Sequence, residues 1–186
     1  MRRLSARDSD FQKSPAPVST IIPLADVDPD LVEALLDTAF EPERRQRTAY
    51  RLREGTAFLP GLSFAALDEH ALLAGTIQCW PVALTDPDGR RHPMIMVGPV
   101  AVLPSQQGRG YGQALVTASL TAIDPRAPLP QVLIGDPDYY GRFFGFTNAP
   151  TAGWRVPGPY EQHRLLVRSA NPSVLPPHGT LGPWRG

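Results

Sequence analysis

The stretch Met94-Ile-Met-Val-Gly-Pro-Val-Ala-Val-Leu-Pro-Ser-Gln-Gln-Gly-Arg-Gly-Tyr-Gly-Gln-Ala-Leu-Val116 decides the fold of this chain. Its apolar and β-branched residues predict a strand over about 93–103. Glycines then indicate a tight turn at 107–112, and the apolar residues after it recur at helical spacing. The stretch therefore predicts a strand, a glycine-rich turn and a helix that packs on a sheet.

The glycine-rich turn stands at the N-terminus of the predicted helix, where unpaired N–H groups and the helix dipole favour an anion. Glycine lets the backbone approach a phosphate closely, and Arg109 is placed to add a charged contact. Two common phosphate-binding patterns do not fit. The only lysine of the chain is Lys13, so a P-loop is excluded, and Gln113 stands where a dinucleotide fingerprint needs its third glycine. A strand-to-helix turn without a ligand is the alternative.

Outside this stretch, strand and helix patterns alternate. Residues 18–24 predict a first strand, and Asp28-Pro29 predicts the start of a helix that reaches about Phe40. The arginine-rich segment 41–53 predicts a second, more exposed helix. Its arginines are interpreted as a solvated face, and the alternative is the edge of a binding cleft.

The remaining segments predict further strands. Segments 62–67 and 72–81 indicate a hairpin, Asp86-Pro-Asp-Gly89 is a turn, and strands follow at 131–135, 153–156 and 163–168. This order predicts an α/β fold with a mixed sheet and helices on its faces. We expect one domain over 18–168, a disordered or frayed start at 1–17, and an irregular Pro/Gly-rich tail at 169–186 that packs through Trp184.

Charge and composition exclude several classes of function. The chain has 186 residues with 18 basic and 18 acidic side chains, which disfavours a nucleic-acid or anionic-membrane surface. Its apolar runs are shorter than the roughly 20 residues of a membrane span. Cys79 is the only cysteine, so neither an internal disulfide nor a cysteine-rich metal site is expected, and a reducing cytoplasmic location fits.

Two motifs, in order and separated by a helix, resemble the GNAT N-acetyltransferase superfamily. Gln107-x-x-Gly110-x-Gly112, after Val100-Ala-Val-Leu-Pro104, resembles its acyl-CoA signature. The segment Leu133-Ile-Gly-Asp-Pro-Asp-Tyr-Tyr-Gly-Arg-Phe-Phe-Gly-Phe146 is similar to the strand, helix and Tyr-x-x-x-Gly-Phe ending of that superfamily. Its Gly-Asp-x-x-Tyr-Tyr-x-Arg-Phe form resembles one bacterial branch whose substrates are largely undefined. The resemblance covers about 62–146.

The resemblance implies a splayed sheet in which the pantetheine arm of acetyl-CoA lies between strands 94–103 and 131–135. Independently, Gly98-Pro99 predicts a bulge or a sheet edge, because proline lacks the donor that a central ladder needs. By analogy, strand residues hold the pantetheine and turn residues hold the pyrophosphate. These expected cofactor-binding residues are Val100, Ala101, Val102, Gln107, Gly108, Arg109, Gly110, Tyr111, Gly112 and Gln113.

The implied reaction is acetyl transfer from acetyl-CoA to an amine by direct attack in a ternary complex. The acceptor is an unidentified small molecule or peptide, and the resemblance favours a homodimer. Tyr140 is the candidate acid for the leaving thiolate, with Tyr139 as the alternative. Tyr140 stands five residues before Gly145, where four is the common spacing. A non-catalytic acyl-CoA-binding or regulatory module on the same fold is the rival function.

No residue identifies the general base. His92 titrates in the useful range, and a water relay to solvent is the alternative. Asp136 is interpreted first as a helix start and second as a contact for a cationic substrate. Cys79 lies in an apolar strand and is interpreted as a core residue.

Overall fold

The computed structural model describes residues 20–185, which form an eight-stranded sheet with helices on both faces. The strands are β1 (Thr20–Pro23), β2 (Phe64–Leu67), β3 (Leu73–Thr85), β4 (Arg91–Val102), β5 (Gln131–Ile134), β6 (Gly153–Arg155), β7 (Leu165–Arg168) and β8 (His178–Pro183). The α-helices are α1 (Pro29–Phe40), α2 (Thr48–Arg51), α3 (Tyr111–Ala122) and α4 (Pro137–Phe144). The predicted mixed sheet flanked by helices is confirmed.

The order of the main sheet is β1-β2-β3-β4-β5-β7. Neighbours in this order run antiparallel except β4 and β5, which are parallel. The cluster beneath α3 includes Leu115 and Val116 and covers one face of the sheet. On the other face, α1 packs through Leu35 and Leu36, and Leu52 after α2 packs on Met96 and its neighbours.

Helix α1 follows the sequence prediction at both ends. The side chain of Asp28 accepts a hydrogen bond from the amide of Asp30 at 2.9 Å, and Pro29 occupies the first helical position. This cap satisfies one of the free N–H groups that every helix start leaves. The strand predicted at 18–24 is observed at Thr20–Pro23, and the predicted frayed start at 1–17 lies outside the described residues.

The prediction of one exposed helix over 41–53 is wrong. Glu41 adopts a φ of 67°, and the chain then forms a 3-10 turn at Pro42–Gln46 and the single-turn α2. The solvated-face interpretation is also wrong for Arg44 and Arg53, which are 1% and 7% exposed. A charged side chain tolerates such burial when the fold supplies hydrogen-bond and aromatic partners, as described below.

The prediction of an irregular tail is wrong for 178–183, where β8 pairs with the second half of β3 and with β6. Val82–Thr85 lies beyond the reach of β2, so β8 fills an otherwise open sheet edge there. Leu181 is buried, and Gly179 lies so close to Leu84 that a Cβ would be 2.8 Å from its Cγ. The predicted packing of Trp184 is observed, with the Arg91 guanidinium over its ring at 4.5 Å.

No helix within residues 20–185 has the length and apolarity that a bilayer crossing requires.

The burial of β8 predicts a large cost for truncating its central side chain. Leu181→Ala should lower the free energy of unfolding by about 2–5 kcal/mol, because Leu181 is 1% exposed and leaves a cavity. Leu72→Ala is the matched control, since Leu72 is 63% exposed and its truncation should change stability by less than about 0.5 kcal/mol. Urea unfolding of both variants measures the difference. Equal losses would contradict the assignment of β8 to the core.

Candidate active site

A cleft of about 1010 Å³ opens where β4 and β5 separate. The two strands are paired only at Ile95 with Gln131 and at Met96 with Val132. Past these pairs, residues 96–100 of β4 form one wall, and residues 132–136 form the other. The parted strands predicted for the sheet are therefore present, and the cleft crosses the sheet from the α4 face to the α2 face.

The predicted bulge at Gly98-Pro99 lies on the β4 wall of this cleft. Ile77 pairs with Val100 and Cys79 pairs with Val97, so two residues of β4 oppose the single Gln78 of β3. The extra residue shifts the alternation of β4 by one. Val97 packs in the core beneath α3, and Val100 and Val102 pack against that same core on the far side of the bulge.

The shifted alternation decides which main-chain groups face the open edge of β4. The amide of Leu103 donates to the carbonyl of Ala74 at 2.9 Å, so Leu103 and Ala101 direct their main chain toward β3. The groups of Val100 and Val102 consequently point to the opposite edge, which β5 has left. The main chain of Ala101 faces β3, so Ala101 does not lie on this edge. Its side chain is 1% exposed and packs in the core with α1.

The glycine-rich turn brings main-chain amides to the start of α3. Gly108 and Gly110 have φ values of 77° and 87°, a region that favours glycine, and no atom lies within 4 Å of a Cβ built on either. No side chain caps α3. Within residues 20–185, the amides of Tyr111, Gly112 and Gln113 have no protein acceptor. This arrangement suits an anion.

Two side chains of the turn are already engaged. Tyr111 is 1% exposed in the core beneath α3, so it can offer a ligand its amide but not its ring. Nη1 of Arg109 donates to Oε1 of Gln106 at 2.7 Å, which holds the guanidinium at the rim of the turn.

Helix α4 carries the two candidate tyrosines in different directions. Tyr140 lines the cleft, and its ring covers Gly135, where a Cβ would lie 2.6 Å from a ring carbon. Tyr139 does not line the cleft; its hydroxyl lies 3.8 Å from a Cβ built on Gly112. The arrangement favours Tyr140 as the residue that reaches a thioester in the cleft.

Burial raises the pKa of Tyr140 to about 12, with Tyr139 adding to the rise and Arg164 opposing it. Tyr140 is therefore protonated and a hydrogen-bond donor across the physiological range. Full proton transfer to a thiolate whose parent pKa is about 8.5 is uphill from such a phenol. A phenol with this pKa can donate a hydrogen bond to a nearby negative charge.

The suggested base His92 is not in the cleft. Its Nε2 lies 2.8 Å from Oδ2 of Asp86 in the β3–β4 hairpin, at the opposite end of β4 from the bulge. The helix-start interpretation of Asp136 is confirmed, because its side chain accepts from the amide of Asp138 at 3.0 Å. Asp136 also lies on the cleft wall.

Cys79 is a core residue, as expected. It is 1% exposed, and burial raises the pKa of its thiol to about 12. A neutral, enclosed thiol is a poor nucleophile, so Cys79 is not suited to form a covalent intermediate.

Sequence reasoning offered the α2-face wall of the cleft only as the alternative for the arginine-rich segment 41–53, and that alternative holds for Arg44 and Arg53. Arg44, Tyr50 and Arg53 line this wall, and they come from a segment whose charge pattern resembles a solvated surface. Burial alone would lower the pKa of Arg44, but hydrogen bonds with Glu33, Asp37 and Tyr50 raise it. The acidic partners on α1 were the available signal, although their distance along the chain concealed the pairing.

Comparison with known proteins agrees with this geometry. The model of the acetyltransferase (GNAT) domain matches residues 20–149. The chain belongs to the GNAT acetyltransferase family. The resemblance carried by the two motifs is thus confirmed at the level of the family. No curated protein sequence matches the chain.

Solved structures share this GNAT fold over 71% to 91% of the chain. The GNAT family N-acetyltransferase YhbS from Escherichia coli, in complex with CoA, is 25% identical with a TM-score of 0.71, covering 91% of this chain and 92% of that one. A GNAT family acetyltransferase from Brucella melitensis, in complex with acetyl-CoA, is 23% identical with a TM-score of 0.58, covering 90% and 96%. A GCN5-related N-acetyltransferase from Kribbella flavida shares 18% identity and a TM-score of 0.51, covering 71% and 33%.

The burial of Cys79 predicts that its thiol resists labelling in the native protein. Ellman's reagent should react with Cys79 only in guanidinium, and Ser173→Cys, at an exposed site, should react in native buffer. The pH dependence has a defined sign. Above pH 9.0 the thiol ionises in the unfolded chain but stays neutral in the fold until about 12, so it lowers stability as pH rises through that window. Fast native labelling of Cys79 would contradict its placement.

Proposed function

We propose that this chain transfers an acetyl group from acetyl-CoA to an amine by direct attack in a ternary complex. The observation that carries the proposal is the cleft between β4 and β5, which has a free strand edge at Val100 and Val102 and free amides at the start of α3. A thioester on a long, flexible arm with a diphosphate at its far end fits both features.

The diphosphate of the donor is assigned to the amides of Gly108 to Gln113. Open space next to Gly108 and Gly110 admits the phosphates, and the helix dipole of α3 adds to the attraction. The pantetheine amides are assigned to Val100 and Val102, where they extend the sheet as an added strand does. The CoA and acetyl-CoA bound in the Escherichia coli and Brucella melitensis structures support this donor.

The reaction balances without a covalent enzyme intermediate. The nitrogen lone pair of the neutral amine attacks the thioester carbonyl carbon, and the carbon–sulfur bond then breaks. The oxygen that carries negative charge in between is stabilised by main-chain N–H groups at the bulge, with the amide of Val100 as the assigned donor. The amine proton leaves through water in the cleft, and Tyr140 donates a hydrogen bond to the departing sulfur.

A bulky anion in the glycine-rich turn should abolish donor binding. Gly110→Glu places a carboxylate beside the assigned diphosphate, so affinity for CoA should fall by at least ~100-fold from lost contacts and repulsion. Calorimetry with CoA measures this loss.

Gly89→Glu is the matched control for Gly110→Glu. Gly89 has a φ of 81° and no atom within 4 Å of a built Cβ, so the substitution brings similar strain and charge at the remote β3–β4 hairpin. Its affinity for CoA should equal that of the wild type. Unchanged affinity in Gly110→Glu would contradict the proposed cradle.

Removal of the Tyr140 hydroxyl should lower kcat with little change in KM for acetyl-CoA. Tyr140→Phe loses one hydrogen bond to developing charge, for which a fall of about 10-fold to 100-fold is expected. Steady-state kinetics with an accepted amine provide the measurement. Tyr139→Phe is the comparison, and a kcat loss confined to that variant would transfer the role to Tyr139.

The raised pKa of Tyr140 also gives an expectation for the pH profile. Because its pKa is about 12, its ionisation should not produce a fall in kcat between pH 8 and 10. A descending limb in that range that disappears in Tyr140→Phe would contradict the protonated role.

A further inference from the structure

The cleft contains an arginine that the proposed reaction leaves unused. Arg53 lines the cleft and is 7% exposed. Its guanidinium carbon lies 3.6 Å from the ring centre of Tyr50 and 4.7 Å from that of Trp80. Nη1 donates to Oε1 of Gln78 at 3.1 Å. None of these partners is a carboxylate.

Within the described part of the chain, no carboxylate forms an ion pair with Arg53. The contrast with Arg44 is direct, because that guanidinium bonds Glu33 at 2.5 Å and Asp37 at 2.8 Å. Three acidic residues line the cleft, Glu43, Asp136 and Glu161, and none of them forms an ion pair with Arg53 in the described residues. Glu161 lies against His163, and Asp136 caps α4. Arg53 thus lacks a carboxylate partner in the described residues. Gln78 and the two aromatic rings offset part of the cost of burying its charge, and a bound carboxylate would offset more.

Arg53 is held next to the reaction centre. Its partner Gln78 is the residue of β3 that stands opposite Gly98-Pro99. Ile77 and Cys79 pack beneath α3, so the side chain of Gln78, between them, points to the opposite face of the sheet. An acceptor that reaches the bulge from this face, away from the glycine-rich turn, meets the guanidinium of Arg53.

The guanidinium of Arg53 packs against aromatic rings, and within residues 20–185 its Nη1 is the nitrogen that donates a hydrogen bond to a protein acceptor. Its remaining N–H groups can donate to a ligand. Tyr50 and Trp80 occupy its surroundings, and Tyr50 is itself fixed by a hydrogen bond from Nη1 of Arg44 to its hydroxyl. The chain of contacts from Glu33 and Asp37 through Arg44 and Tyr50 therefore orients Arg53. A planar fork presented in this way matches the two oxygens of a carboxylate.

We propose that the amine acceptor carries a carboxylate and that Arg53 binds it. The inference rests on the proposed acetyl transfer, because it identifies the substrate class of that same cleft. Burial lowers the pKa of Arg53, and a carboxylate bound beside the guanidinium would stabilise its charged form. The acceptor class is therefore amino acids or related amino carboxylates, and not simple amines or polyamines.

The test uses acceptors that differ only by the carboxylate. The pairs are tryptophan and tryptamine, tyrosine and tyramine, phenylalanine and phenylethylamine, and histidine and histamine. Acetylation of each by the full chain is followed through CoA release. At least one pair should show kcat/KM about 10-fold to 100-fold higher for the carboxylate, the range that a charged hydrogen-bonded pair supplies. Equal values within every pair would overturn the proposal.

Arg53→Gln should erase that preference by lowering kcat/KM for the carboxylate member alone. Arg51→Gln is the matched control, because Arg51 ends α2 just before Arg53, is exposed and does not line the cleft. It should retain the wild-type preference. Arg53→Lys keeps the charge without the fork and should retain part of the preference; this variant serves if Arg53→Gln does not fold. A preference that survives in both Arg53 variants would overturn the proposal.

A binding measurement separates this inference from the proposed function. Calorimetry on the CoA-saturated protein compares phenylpropionate with phenylpropanol, neither of which has an amine. Tighter binding of the acid by the wild type than by Arg53→Gln supports the carboxylate site even if no amine is acetylated, in which case only the proposed function fails. Acetylation of amines without any advantage for the acid leaves the proposed function intact and overturns the carboxylate site.

Discussion

The structure depends on the parting of two parallel strands. β4 and β5 share only two paired positions, and all features of the candidate active site lie where that pairing stops. A continuous ladder would satisfy the main chain of Val100 and Val102 within the sheet. Because β5 turns away, those groups stay available at one edge while β3 holds the other. The parting of the strands thus opens the cleft and leaves main-chain groups of β4 without a strand partner. We propose that an extended ligand binds these groups.

The bulge at Gly98-Pro99 organises both sides of the cleft. It shifts the alternation of β4, so Val100 and Val102 rather than Ala101 present their main chain to the opening. It also places Gln78 alone opposite two residues, and Gln78 is the hydrogen-bond partner of Arg53. The extra residue in β4 therefore lies between the proposed acetyl-CoA site on the α3 face and the proposed acceptor site on the α2 face.

The arginines after α1 show how burial changes the meaning of a charged segment. Arg45 and Arg51 are exposed, as the polar pattern indicated, whereas Arg44 and Arg53 are buried within a few residues of them. Arg44 is compensated by two carboxylates of α1, whereas Arg53 has no carboxylate partner among residues 20–185. The ion pairs of Arg44 fix the segment against α1. Arg53 instead places a positive charge without a carboxylate partner in the cleft.

Local chemistry in the sequence was sufficient for several elements and for the glycine-rich turn at the start of α3. Asp28-Pro29 predicted the start of α1, Asp86 to Gly89 predicted the β3–β4 turn, and the glycines of 107–112 predicted the start of α3, since each depends on residues a few positions apart. Long-range pairing decided the rest. β8 forms from the proline-rich tail because it pairs with an open edge of β3. His92 lies in the β3–β4 hairpin beside Asp86, outside the cleft. Arg53 is enclosed by Tyr50, Trp80 and Gln78. The pairing of β8 with β3 and the contacts of Arg53 with Gln78 and Trp80 join residues far apart in the chain, so no local pattern records them.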